Sequence, residues 1–335
     1  PTMSLPPFLD PLIPEKPGVS YLEGVFDHQH PFGRSQVLWW APRDEDSSPS
    51  TIAIFIPGTL GLTGFYASFL SALHTAASAS SPSFALLAHT HLGFHGSTDA
   101  SDPSRLPAAE NVGVTAQVEA LLAVHDALLP AGSGARGPRP RIVLIGHSIG
   151  AWLATQVLRA RPGTVDGAFL LFPTLSDMAG TPRGRTLWPL FRRPVPRLLS
   201  LLAPLASRLP LARLFPTWPA PQLAALRAFV RAPGSVYTCL TLADHMLRTV
   251  RALDVALLRS HAEKLRLFYA ERDGWVGAGR AEVERALVGA GVEERVVGGR
   301  SDVGHAFCVD DEHGELVAAQ CLEWLREGGY LSDRT

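Results

Sequence analysis

A serine flanked by small residues is the strongest chemical signal in this chain. Gly146-His147-Ser148-Ile149-Gly150 directly follows the apolar run Arg141–Ile145 (RIVLI) and directly precedes AWLATQVL. Between a strand and a helix, a G-x-S-x-G stretch makes a turn so tight that only small residues fit beside the serine. The turn lifts the Ser148 hydroxyl clear of the sheet and above a helix N-terminus. A neutral hydroxyl is a weak nucleophile, so it needs an adjacent base, and the base needs an orienting carboxylate. In sites of this kind the partners follow in the order serine, acid, histidine. The histidines after Ser148 are His245, His261, His305 and His313. His305 is the best placed, because it follows the last strand signal and the loop GGRSDVG and precedes a final helical segment. For the acid, Asp273 follows LRLFYAER at the end of the penultimate strand signal. Asp177, after AFLLFPTLS, is the alternative, and Asp302 near His305 reads as a loop residue.

Acyl chemistry at such a serine also needs donors for the developing oxyanion. The backbone N–H of Ile149 is one. The second is expected from Ile56-Pro57-Gly58-Thr59-Leu60-Gly61, with Thr59 nominated and Leu60 as the fallback. Two other motifs lead elsewhere. His89, His91 and His95 sit close together, but no carboxylate or cysteine at suitable spacing completes a metal site, so a strand-end loop is expected. No Gly-Lys-Ser/Thr follows Gly58–Gly61, which excludes a phosphate loop. The chemistry therefore calls for neither metal nor cofactor.

The elements that must position these residues are legible as alternating runs. Strand signals are Tyr21–Phe26, Gln36–Trp40, Thr51–Ile56, Phe84–Ala88, Arg141–Ile145, Ala168–Phe172, Leu265–Tyr269 and Glu294–Val297. Short continuous apolar runs suit strands covered on both faces. Helix-compatible patterns lie between them at Phe65–Ala77, Ala108–Leu129, Ile149–Ala160, Gly279–Val288 and Glu315–Arg326. The alternation predicts a largely parallel α/β sheet. It breaks between Leu175 and Leu258, where Trp, Leu and Phe stand among frequent prolines. Proline favours short helices with sharp breaks, so this stretch is expected to be a helical insertion. Residues 1–174 and 259–335 then form two parts of one core around a cap at 175–258.

Composition bounds the rest. With 335 residues, 46% of them hydrophobic and 18% charged, the chain can bury a sizeable core and is not of disordered type. A net charge of -1 gives no global field for nucleic acid. Cys239, Cys308 and Cys321 are too few and scattered for a disulfide framework and fit a reducing compartment. Residues 1–18 are proline-rich without the apolar stretch of a signal peptide, and no apolar run reaches the length of a membrane span. The charge is unevenly spread. Met178–Ala243 holds nine arginines and no Asp, Glu or Lys, which leaves 21 basic against 31 acidic residues elsewhere. An acid-free segment with Trp188, Phe191, Trp218 and many leucines can bury apolar faces in a lipid surface while Arg192, Arg193, Arg197, Arg208 and Arg213 stay with the headgroups. The same composition also fits a cap packed over an acyl pocket, and the two roles can coexist.

Together these residues resemble the α/β-hydrolases, and more narrowly the lipid droplet-associated hydrolases. The matching pieces are Phe55–Leu70, Leu144–Ala154, Leu170–Gly184, Tyr269–Val276 and Val303–Phe307, in the family's order. The resemblance implies a mostly parallel eight-stranded sheet flanked by helices, with a helical cap after the sixth strand. It also implies Ser148 as nucleophile, Asp273 as acid and His305 as base. The family's loop usually reads like PGNPG, and Pro57-Gly58-Thr59-Leu60-Gly61 departs from it at the third and fourth positions, which a backbone donor tolerates. The hydrophobic insertion corresponds to the family's region of lipid-droplet association. A location at lipid droplets and the cytosolic side of the endoplasmic reticulum follows from the resemblance, as do sterol esters or other neutral lipid esters as substrates. Two further functions use the same residues: a lipid-droplet-binding protein with a vestigial site, and an acyltransferase that passes the acyl group to an alcohol. Epoxide hydrolases and dehalogenases of this fold place an aspartate where Ser148 stands.

Overall fold

The computed structural model describes residues 4–12, 18–44, 48–94, 106–129, 138–290, 295–300 and 303–331. The apolar runs become strands. In chain order these are β1 (Asp10–Pro11), β2 (Leu22–Asp27), β3 (Arg34–Trp40), β4 (Thr51–Ile56), β5 (Phe84–His89), β6 (Arg141–His147), β7 (Val165–Leu171), β8 (Leu265–Ala270) and β9 (Val296–Arg300). They form one sheet in the order β1-β2-β3-β5-β4-β6-β7-β8-β9. The first four in that order pair antiparallel. From β5 to β9 every pairing is parallel. This is the α/β-hydrolase architecture, with nine strands among the described residues where eight were expected. The additional one is β1, a two-residue exposed edge on β2 that leaves no apolar signature.

Helices cover both faces. In chain order α1 is Ala67–Ser80, α2 Val114–Ala127, α3 Ile149–Ala160, α4 Pro182–Phe191, α5 Val195–Ala206, α6 Leu211–Leu214, α7 Ala220–Arg231, α8 Pro233–Thr249, α9 Val255–Ser260, α10 Gly279–Leu287 and α11 Asp311–Glu327. Strand alternation sorts the core into two layers. On β4, Ala53 and Phe55 face a layer with Phe69, Leu70 and Leu73 of α1 and Val317, Cys321 and Trp324 of α11. Ile52, Ile54 and Ile56 face the other, with Leu121 and Val124 of α2, Leu153 and Val157 of α3 and Val283 of α10. β4 is buried at all six positions, which is why its sequence does not alternate in polarity.

Of the boundaries that differ from the sequence reading, two have clear local reasons. α11 starts at Asp311 rather than Glu315, because the Asp310 carboxylate accepts the His313 N–H over 3.1 Å and caps the helix one turn earlier. β7 stops at Leu171, because Phe172 turns to a positive φ of 48° and leaves the ladder. Between β7 and β8 the regular elements are helical, and α4, α5, α7 and α8 each carry a proline in the first turn, where no backbone donor is lost. Among the described residues no helix is long and apolar enough to cross a membrane.

Candidate active site

The site is assembled where the parallel strands end. β6 runs into Ser148, whose φ of 55° and ψ of −120° mark a strained turn, and α3 begins at the next residue. The Ser148 N–H donates to the Leu171 carbonyl over 2.9 Å, which pins the turn to the end of β7. The two glycines are needed for close approach. A Cβ on Gly146 would overlap the Gly150 carbonyl, and one on Gly150 would overlap the Ile56 carbonyl at the end of β4.

The loops after β8 and β9 deliver the other two groups. His305 Nε2 lies 3.0 Å from Ser148 Oγ, and His305 Nδ1 lies 2.6 Å from Asp273 Oδ2. The second Asp273 oxygen, Oδ1, accepts the N–H groups of Trp275 at 2.8 Å and Val276 at 3.2 Å. Burial pushes the Asp273 carboxyl up. The hydrogen bond and charge of His305, with the two backbone donors, outweigh that push, and the net direction is down. Asp273 is therefore an ionised acceptor that fixes His305 with Nδ1–H toward it and leaves Nε2 free to accept the serine proton. The structure thus brings Ser148, His305 and Asp273 together. Asp177 is exposed, takes a left-handed conformation at φ 30° and closes a short turn at Met178–Gly180. His245 lies on α8 against Gly113, His261 follows α9, and His313 stands in the first turn of α11. Asp302 and His95 lie outside the described residues.

The loop after β4 turns tightly, with the Gly61 N–H bonded to the Gly58 carbonyl at 2.9 Å. Thr59 and Leu60 are the two central residues of that turn, where backbone N–H groups are not consumed by the turn itself. The Thr59 hydroxyl reaches Met246 Sδ of α8 at 3.5 Å. Ile149 is buried in an apolar cluster with Met178, Leu242, Met246, Leu247 and Val250. α8 therefore walls the apolar side of the serine turn. His89 is part of a separate buried group, with its Nε2 2.8 Å from Ser35 Oγ and 3.2 Å from His28 Nε2.

The sequence reading missed the residues packed behind His305. The rings of His147 and Phe172 lie 5.1 and 5.9 Å from the His305 ring. Strand alternation along RIVLIGH was the available signal, since it puts His147 on the same face as Val143 and Ile145, both in the α1–α11 layer.

The comparisons with known proteins agree with this architecture. The model of a family described as lipid-droplet associated hydrolase matches residues 49–308. A human lipid droplet-associated hydrolase is 30% identical over 162 residues, which cover 45% of this chain and 47% of that protein. The alignment thus spans about half the length of that relative. The chicken protein of the same name is 24% identical over 312 residues, covering 86% of this chain and 89% of that one. Among solved structures, a haloalkane dehalogenase loop variant from Bradyrhizobium elkanii superposes with a TM-score of 0.62 at 15% identity, covering 93% of this chain and 99% of that one. A structure described among carboxylesterases of Nitrososphaera gargenis superposes with a TM-score of 0.59 at 12% identity, covering 91% and 98%. These two likenesses concern the fold.

Proposed function

With the chain a member of the lipid-droplet associated hydrolase family, we propose that it hydrolyses carboxylic esters of lipids, with Ser148 as nucleophile, His305 as general base and acid, and Asp273 as the orienting carboxylate. The observation that carries the proposal is the relay from Ser148 Oγ to His305 Nε2 at 3.0 Å and from His305 Nδ1 to Asp273 at 2.6 Å. Ser148 Oγ attacks the ester carbonyl while its proton passes to His305 Nε2. The N–H groups of Ile149 and Thr59 hold the oxyanion of the tetrahedral intermediate. His305 then protonates the leaving alcohol, and an acyl-serine remains. Water, deprotonated by His305, attacks the acyl-serine and regenerates the hydroxyl. Sterol esters or other neutral lipid esters are the substrate class this reading favours.

The site of action in this reading is the surface of a lipid droplet or the cytosolic face of the endoplasmic reticulum, approached through residues 178–243. Exposed leucines on α4, α5 and α6 support it, among them Leu198 at 55% and Leu201 at 67% exposure. The insertion at 175–258 then both docks the protein and covers the site, between core parts at 1–174 and 259–335. The same surface favours one second reading, a lipid-droplet-binding protein with weak activity.

Fluorophosphonate labelling of the parent beside Ser148→Ala and His305→Ala tests the proposal. Labelling of the parent alone is the expected result. A folded parent that stays unlabelled, with and without lipid emulsion, would overturn the hydrolase reading in favour of the binding protein.

A further inference from the structure

A second hydrogen-bond chain runs behind the serine and ends on the backbone of His305. The Gly58 N–H donates to the Tyr66 hydroxyl oxygen over 3.1 Å. Tyr66 Oη lies 2.8 Å from His147 Nδ1, and His147 Nε2 lies 2.9 Å from the His305 carbonyl oxygen. The direction of each bond follows by elimination. A carbonyl oxygen only accepts, so His147 carries its proton on Nε2. Its Nδ1 is then an acceptor, and Tyr66 donates its hydroxyl hydrogen to it. The Tyr66 oxygen in turn accepts from Gly58.

The chain is sealed from water. Tyr66 and His147 are 2% and 4% exposed. The His147 ring is held edge-on against Phe172 at 5.8 Å and Phe307 at 5.1 Å. Burial, followed by the nearby His305, pushes His147 down to about 3. The imidazole therefore stays neutral at neutral pH, and the bond directions hold.

We propose that Tyr66 and His147 are positioning residues, which tie the oxyanion turn at Gly58–Gly61 to the backbone of His305 and so fix the distance between the oxyanion donors and the base. This inference rests on the hydrolytic reading of Ser148 and His305. Neither side chain bonds to Ser148; each acts through the loop it holds. Two loops from distant parts of the chain, after β4 and after β9, must keep one separation for attack and oxyanion binding to coincide. Apolar residues of the same shape would fill this space at little cost in stability. A fully satisfied polar chain adds direction and register instead.

The test compares parent, Tyr66→Phe, His147→Gln and His147→Ala for kcat and KM on a soluble p-nitrophenyl ester, fluorophosphonate labelling rate and thermal midpoint. Tyr66→Phe removes one oxygen and keeps the ring. It should lower kcat and labelling rate together, by about 10- to 100-fold, less than direct removal of an oxyanion donor, with KM within about twofold. His147→Gln can still present an amide N–H toward the His305 carbonyl, so it should retain more activity than His147→Ala. Tyr66→Phe carries the test if His147→Ala does not fold. An active parent whose folded variants keep kcat within about twofold, with only the thermal midpoint lowered, would overturn this inference alone. A parent that neither turns over ester nor labels would overturn the reading of Ser148, and this inference with it.

Discussion

Leu144 in β6 is 1% exposed, whereas Leu201 on α5 is 67% exposed. Among the described residues, the arginines that meet a carboxylate, including Arg34, Arg139, Arg159, Arg161, Arg248, Arg266 and Arg280, all lie outside the segment 178–243. Among the described residues, none of the nine arginines within the segment meets one. α5 shows how the helices stay folded with their large side chains outward. Pro196 and Ser200 are buried and Ala203 packs inward, on one stripe, while Leu198, Leu201, Leu202 and Leu205 occupy the other. Ser200, at 0% exposure, satisfies its own hydroxyl on the Arg197 carbonyl at 2.8 Å. The helix thus packs through small residues and turns its apolar bulk away from the protein. A sheet core is complete within itself. This segment leaves its leucines in solvent, and the proposed docking on a lipid surface would cover them.

The comparison breaks first at the serine. Ser148→Ala should lower ester turnover by about 10⁴-fold or more, the scale of losing a triad nucleophile, and leave binding to a lipid emulsion unchanged. Turnover and flotation with the emulsion measure the two separately. A loss of binding with turnover would mean that the core, not the segment, holds the surface.

The second prediction sets leucine against leucine. Changing Leu198, Leu201, Leu202 and Leu205 together to serine should weaken emulsion binding by about 100-fold or more, given roughly 1.5–3 kcal/mol for each fully buried leucine. The thermal midpoint and turnover of a soluble ester should hold. Leu144→Ala should do the reverse, costing about 2–5 kcal/mol of stability with no direct effect on emulsion binding. Chemical denaturation and flotation of both variants check it.

What the sequence made legible follows the same division. The strands were readable because a strand covered on both faces leaves an unbroken apolar run, as in TIAIFI. That Ser148, Asp273 and His305 would meet was readable because strand-end positions and chain order constrain where they lie. β1 was not, because two paired residues carry no periodicity. The early start of α11 was hidden behind Gly314, since the cap at Asp310 is a side-chain bond rather than a pattern. The Gly58–Tyr66–His147–His305 chain was out of reach because only the tertiary fold brings these positions together. In the insertion, composition disclosed the missing acids. Which face of α5 the leucines take depends on how its small residues pack, and that is a tertiary fact.

Acid separates the two regions next. Burial is the largest influence holding His28, His74 and His91 down to about 4, from an ordinary value of 6.5. In the unfolded chain these rings protonate near 6.5, so the unfolded state binds more protons between 6.5 and about 4. Core stability is therefore full above that window and is lost as pH falls through it, by up to about 1.4 kcal/mol per pH unit for each histidine. The segment 178–243 contains no His, Asp, Glu or Lys, so emulsion binding by folded protein should stay flat from about pH 6 to 8. Thermal midpoints and flotation across pH test both halves. A midpoint that does not fall toward pH 5 would show that these rings accept protons without unfolding.

The smallest expected effect isolates the arginines from the leucines beside them. Arg192, Arg193 and Arg197 stand at the junction of α4 and α5, next to the leucine face. An arginine near an anionic lipid surface contributes about 1 kcal/mol, and salt screens that attraction within a Debye length. The triple change to alanine should therefore weaken binding to emulsions coated with phosphatidylcholine and phosphatidylserine, and the loss should shrink as salt is raised. On coats of phosphatidylcholine alone the same variant should bind nearly as the parent does, because the leucines are untouched. Equal losses on both coats would mean that the arginine stems, rather than their charges, support the surface contact.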